Sequence, residues 1–156
     1  MNRRPEVEAA ARWWTTTLTG PFRHRVGDPE LDAQLAQPPA SAGRGWSAEQ
    51  REAFRLALEE ELEAHVASCW YPGDPLRGSA VRAVLCDWGP DPVLIDAARA
   101  AGLELGSHDV PFKTVMWINP GEVAVRGGYG AARATVWPLP TPTDPAPQPD
   151  TETERP

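Results

Sequence analysis

The sequence predicts an α+β fold, and three observations carry that prediction. Apolar residues recur at helical spacing in two stretches of the first half, around Val7–Leu18 and Phe54–Cys69. Short runs rich in β-branched and aromatic residues, punctuated by Gly and Pro, crowd the second half. One compact helix signal, Asp91-Pro92 through Gly102, falls between the two regions. Helices first and strands later is the α+β order, not the alternation of a parallel sheet.

The first helix is expected from Pro5 to about Leu18. Pro5 suits a first helical position, and Glu6 and Glu8 suit the positive end of the helix dipole. Val7, Ala11, Trp14 and Leu18 then form the face to be buried, which leaves Trp13 directed away from it. Gly20-Pro21 stops the helix. Residues 20–46 show no period and read as an irregular insertion, closed by Trp46 packing back beside the next helix. That helix is expected over Ser47–Cys69, opened by a capping box of Ser47 and Gln50. Phe54, Leu58, Leu62, Val66 and Cys69 mark its apolar face, and Glu59, Glu60, Glu61 and Glu63 read as a solvated opposite face.

Ala80–Cys86 alternates weakly and reads as a strand. Asp91 should cap a short helix with Pro92 at its first position and Gly102 at its end. Leu103–Pro111 reads as irregular. Val115–Ile118 and Glu122–Val125 read as a hairpin about Asn119-Pro120-Gly121, followed by a glycine turn at 127–130 and a last strand over Ala131–Trp137. From Pro138 onward the composition is proline and acid, which predicts a disordered tail over 138–156. The expected organisation is one domain over 1–137 plus that tail.

The chain has 156 residues, 41% hydrophobic and 24% charged, which suits one domain with one core. Its net charge is −7, which argues against direct binding of nucleic acid or of an anionic membrane surface. No basic-then-apolar leader and no run of membrane length are present, so a soluble, monomeric, cytoplasmic protein is expected. Its two cysteines, Cys69 and Cys86, are then expected as free thiols.

Two segments stand apart from the helix and strand patterns. In Cys69–Ser79, Trp70 and Tyr71 are followed by Pro72 and Pro75, which forbid a helix and stiffen an aromatic loop. Rigid aromatic surface loses little entropy on docking and is common at partner interfaces. The second segment is the hairpin carrying Trp117. By composition alone Trp117 would be a core residue.

The run Trp70-Tyr71-Pro72-x-x-Pro75-x-x-Gly78-Ser79-x-x-Arg82 resembles box A of the BTG/Tob antiproliferative family. Trp117-Ile118-Asn119-Pro120-x-Glu122-Val123 resembles its box B, and Asp91-Pro92 and Gly102-Leu103 fall between them at about the family's spacing. The resemblance spans roughly residues 50 to 137. It implies helices packed on a small, mostly antiparallel sheet. It also implies a non-catalytic adaptor without cofactor, which docks on the Caf-type catalytic subunit of the mRNA deadenylase and so regulates mRNA turnover, transcription and proliferation, in cytoplasm and nucleus if the source is eukaryotic.

Carried over by position, His65, Trp117 and Asn119 would contact the partner. Trp70, Tyr71, Pro72 and Pro75 would shape the loop beside them, and Val81 and Glu122 complete the set. The chain also departs from the family pattern. Cys69 stands for a His, Val81 and Gly121 for aromatics, and Asn119 for an Asp. A second reading therefore keeps the fold and changes the partner, as a prokaryote lacking this deadenylase would require.

A third reading, a metal or thiol enzyme, has less support. His65 and Cys69 have the i, i+4 spacing of two ligands, with Cys86 and His108 as possible companions, but no Cys-x-x-Cys or His-x-x-x-His accompanies them. Neither cysteine lies in a nucleophile signature, and Ser79 lacks the Gly-x-Ser-x-Gly elbow. The glycines at 127–130 precede a strand, so a turn explains them better than a phosphate loop.

Overall fold

The computed structural model describes residues 3–19, 45–107, 109–111, 113–128 and 131–139. Four helices and four strands follow in the order α1 (Pro5–Thr19), α2 (Ala48–Ala67), α3 (Ser79–Arg82), β1 (Val84–Cys86), α4 (Pro92–Ala100), β2 (Thr114–Asn119), β3 (Glu122–Gly127) and β4 (Ala134–Trp137). The strands form one antiparallel sheet in the order β1-β2-β3-β4. This is the α+β architecture expected from the sequence.

Each helix forms for a local reason and is held by a buried face. In α1, Val7, Ala11, Trp14 and Leu18 are fully buried, and Trp13 sits half-buried, edge-on to Trp14 at 4.9 Å. The capping box of α2 is complete. Gln50 N–H donates to Ser47 Oγ at 3.1 Å, and Ser47 N–H donates to Gln50 Oε1 at 2.8 Å. Phe54, Leu58, Leu62 and Val66 are fully buried, and Trp46 closes on Phe54 at 4.9 Å between ring centres. At α4, Asp91 Oδ1 accepts from Val93 N–H. Its far end is a Schellman cap, with Gly102 N–H donating to Arg99 O and Leu103 N–H to Ala98 O. Gly102 has φ +73°, a conformation that residues with a Cβ adopt at a cost.

Helix α1 lies across β2, β3 and β4, while α2 packs on both α1 and α4. The inward-facing side chains of the sheet, among them Val84, Met116, Ile118 and Val123, are fully buried against these helices. Val115 and Trp117 alternate with them and occupy the opposite, outer face.

Four expectations are corrected. Ala80–Cys86 is not one strand. Gly78 adopts φ +74°, and Val81 and Arg82 N–H donate to its carbonyl, so a single helical turn precedes a three-residue strand. The last strand begins at Ala134, not Ala131. The α2 helix ends at Ala67, although Cys69 is buried as foreseen. The acidic run on α2 is not all solvated. Glu59 is 5% exposed and pairs with Arg3 at 3.4 Å and with Arg55, while Glu63 pairs with Arg4. Residues 20–44, the turn residues 129 and 130, and the tail from 140 lie outside the described residues.

Candidate functional site

The Trp-Tyr-Pro loop is a chain of tight turns. Asp74 N–H donates to Tyr71 O, Arg77 N–H to Asp74 O, and Ser79 N–H to Leu76 O, each at 3.0–3.1 Å. Such a loop has no ladder to hold it, and its rigidity comes from Arg82. This side chain is fully buried at the end of α3. Its Nε donates to Ile118 O at 2.8 Å and its Nη2 to Asn119 Oδ1 at 2.9 Å, both on β2. Its remaining bonds reach the loop, from Nη1 to Cys69 O and Arg77 O and from Nη2 to Pro75 O. One guanidinium thus uses all five donors to join the loop to the hairpin.

The position of Arg82 explains the Ile118 bond. Strand β1 pairs with β2 as Val84↔Met116, so a longer ladder would set residue 82 opposite Ile118. The backbone has turned into α3 there, and the side chain supplies the donor instead. Gly78 is required for the same arrangement, because a Cβ at this position would lie 3.0 Å from Arg82 Nη1.

Aromatic rings extend the joint. Trp70 lies between Arg4, 5.0 Å from the ring centre, and Arg82, at 5.7 Å. Arg77 covers Tyr71 at 4.3 Å. On the hairpin side, Gly121 N–H donates to Glu6 Oε1 at 3.0 Å, which fixes the turn to α1. Trp117 stands half-buried on the outer face opposite Ala124, with Arg133 5.8 Å from its ring. Arg133 also pairs with Glu122; that hydrogen bond holds the Glu122 carboxyl below its usual range and raises the guanidinium.

The Arg82 bonds bring the box A loop against the Ile118-Asn119 end of β2, next in sequence to Trp117. Tyr71 and Trp70 are half-buried, and Pro72, Pro75 and Val81 are exposed, Val81 at 64%. Trp117 is half-buried, neither sealed in the core nor fully exposed. His65 is half-buried on the last turn of α2, with its Nε2 shielded from solvent and lacking a hydrogen-bond partner among the described residues. Asn119 differs from the expected outward contact. It is 3% exposed, and its amide oxygen is engaged by Arg82. Position 119 therefore belongs to the frame beneath the surface.

In the sequence Arg82 falls in the box A pattern, and nothing local to it shows its role. A lone arginine amid short apolar residues was the available signal. Thiol chemistry has little support here. Burial pushes the Cys86 thiol up to about 12, far from a reactive thiolate. Among the described residues no three of His, Cys, Asp and Glu group as metal ligands, and His108 lies outside those residues.

A helical layer over one face of a four-stranded antiparallel sheet, with an aromatic loop fastened to the end of its central hairpin, defines an α+β domain of the BTG/Tob type. The chain belongs to the BTG family, whose model matches residues 41–137. It is 30% identical over 126 residues to a BTG family protein of Dictyostelium discoideum, covering 80% of this chain and 25% of that one. It is 34% identical over 88 residues to human Protein BTG2, covering 54% of this chain and 56% of that one. The chain thus spans a quarter to a little over half the length of these relatives. The BTG/Tob domain of C. elegans FOG-3 superposes with a TM-score of 0.59 at 18% identity, over 85% of this chain and 79% of that one, which shows the shared fold.

Proposed function

We propose that this chain is a non-catalytic docking module of the antiproliferative type, which binds the Caf-type catalytic subunit of the mRNA deadenylase. The box A loop, His65 and Trp117 form the contact. Docking would then couple poly(A) shortening to mRNA turnover, in the cytoplasm and, in a eukaryote, in the nucleus. The observation that supports this reading is the Arg82 joint, which fastens a loop of exposed prolines and half-buried aromatics to the Trp117 hairpin. A loop so fastened avoids the ordering cost of binding.

The test is capture of a purified Caf-type subunit by the wild-type chain and by Trp117→Ala. Loss of a central aromatic anchor should cost on the order of 2 kcal/mol, about a thirtyfold weakening. Trp88, 75% exposed beyond β1, provides the control; Trp88→Ala should bind as wild type. Failure of the wild-type chain to capture the subunit overturns the assignment of this partner.

A second reading is favoured by one observation. Asn119, where the family carries an acid, is turned inward onto Arg82, and Val81 leaves an aliphatic contact where the family has an aromatic. Both changes suit the same fold serving another protein partner. Co-purification from the native host separates the two.

A further inference from the structure

The charge of Arg82 has no counter-ion among the described residues. Its acceptors are four main-chain carbonyls and one amide oxygen, and Trp70 supplies a ring face. No carboxylate among the described residues pairs with it. A buried charge is poorly screened, so its field reaches the surface above it.

Two exposed cations flank the same surface without an ion pair among the described residues. Arg77 lies over Tyr71. Arg126 follows Ala124 by two residues on β3, which makes it a diagonal neighbour of Trp117 on the outer face. The nearby acids are engaged. Glu6 accepts from Gly121 N–H, Glu63 pairs with Arg4, and Glu122 pairs with Arg133. Two carboxylates oppose this balance: Asp74, exposed in the loop, and Glu6, whose hydrogen bond from a backbone N–H leaves its charge unneutralised. A chain of net charge −7 thus presents an apolar, cation-bearing face at its aromatic ledge.

We propose that this face selects a protein segment in which an apolar side chain is flanked by carboxylates. The apolar group seats on Trp117 and the box A loop, and the acids face Arg77 and Arg126, with Arg82 adding its field from below. This inference rests on the docking reading above and names the chemistry of the docked surface. Three cations without an ion pair among the described residues suit a few carboxylates better than a polyphosphate backbone, which needs many clustered cations.

The experiment is an NMR titration of the full chain, read at the Trp117 indole N–H and assigned with Trp117→Phe. Two synthetic peptides of equal length carry the same Leu-Phe centre, flanked by Glu in one and by Lys in the other. The Glu peptide should bind at least about threefold tighter, the scale of one or two exposed ion pairs. That advantage should shrink as NaCl rises from about 0.05 to about 0.5 M. The double variant Arg77→Glu, Arg126→Glu should reverse the preference, and Asp74→Asn should strengthen it. Equal or tighter binding of the Lys peptide overturns this inference and leaves the docking reading standing. No shift at Trp117 with either peptide also overturns this inference, while the docking reading falls only if the wild-type chain fails to capture the Caf-type subunit. Tighter binding of a single-stranded RNA oligonucleotide at the same residues replaces the acidic segment with nucleic acid and also overturns the proposal.

Discussion

Arg82 Nη2 donates to Asn119 Oδ1 at 2.9 Å, across 37 residues of sequence, and both side chains are buried. The contact joins a loop that has no strand of its own to the hairpin beside it. Removing Arg82 leaves several acceptors without donors, whereas removing the Asn119 amide leaves one donor short. Arg82→Met should therefore cost on the order of 3 kcal/mol and Asn119→Ala about 1 to 2. Urea denaturation of both single variants and the double variant measures their coupling, expected to be at least about 0.5 kcal/mol. Arg82→Lys should not restore stability, because an ammonium cannot span the five acceptors. Rescue by lysine would show that charge alone matters here.

The four glutamates of the α2 acidic run divide by burial. Glu59 is enclosed between Arg3 and Arg55, and Glu60 faces solvent. Glu59→Gln should destabilise the fold by about 1 to 2 kcal/mol, and Glu60→Gln should stay within about 0.5. Equal effects in thermal unfolding would contradict the enclosed position of Glu59.

Cys86 gives the fold an alkaline limit. Its thiol is pushed from 9.0 up to about 12, first by burial, so the folded state keeps a proton that the unfolded state gives up. This contribution to stability is complete below pH 9 and is lost as pH rises through the window up to about 12. Cys86→Ala should flatten the decline of stability across that window. Ellman's reagent should leave Cys86 unmodified in the folded protein at pH 8. Rapid modification there would mean the thiol is accessible.

The Glu122–Arg133 pair works in the opposite sense and more weakly. The hydrogen bond from Arg133 lowers the Glu122 carboxyl below 4.5 in the folded state. Its contribution is present above the unfolded carboxylate value and is lost as pH falls through the folded one. The two side chains are 37% and 46% exposed, so solvent screens the pair and its worth is under about 1 kcal/mol. Glu122→Gln should reduce the loss of stability between pH 5 and pH 3 by no more than that. A larger change would indicate a second role for the carboxylate.

Much of the fold was legible because its signals are local. Ser47 and Gln50 announce the start of α2, Asp91-Pro92 and Gly102 bracket α4, and Asn119-Pro120-Gly121 turns the hairpin. Each acts within a few residues, and each is found in place. The turn at α3 was not legible, since four residues are too few to establish a period and the alternation of Ala80–Val84 reads equally well as strand. Glu59 is buried because Arg3, far upstream, reaches it, and no window around residue 59 contains that fact. The same holds for the site. Trp117 and the Trp-Tyr-Pro loop were visible as candidates, but the inward turn of Asn119 depends on Arg82 arriving from another segment.

The acceptors of Arg82 carry a further consequence. Every residue offers a main-chain oxygen, so the oxygens at Cys69, Pro75, Arg77 and Ile118 persist when the side chains at those positions change. The scaffold can accordingly be re-lettered on its outside while its inner fastening stays as it is. Lineages can drift toward new binding tastes one exterior position at a time, provided that Arg82, Asn119 and Gly78 are left alone.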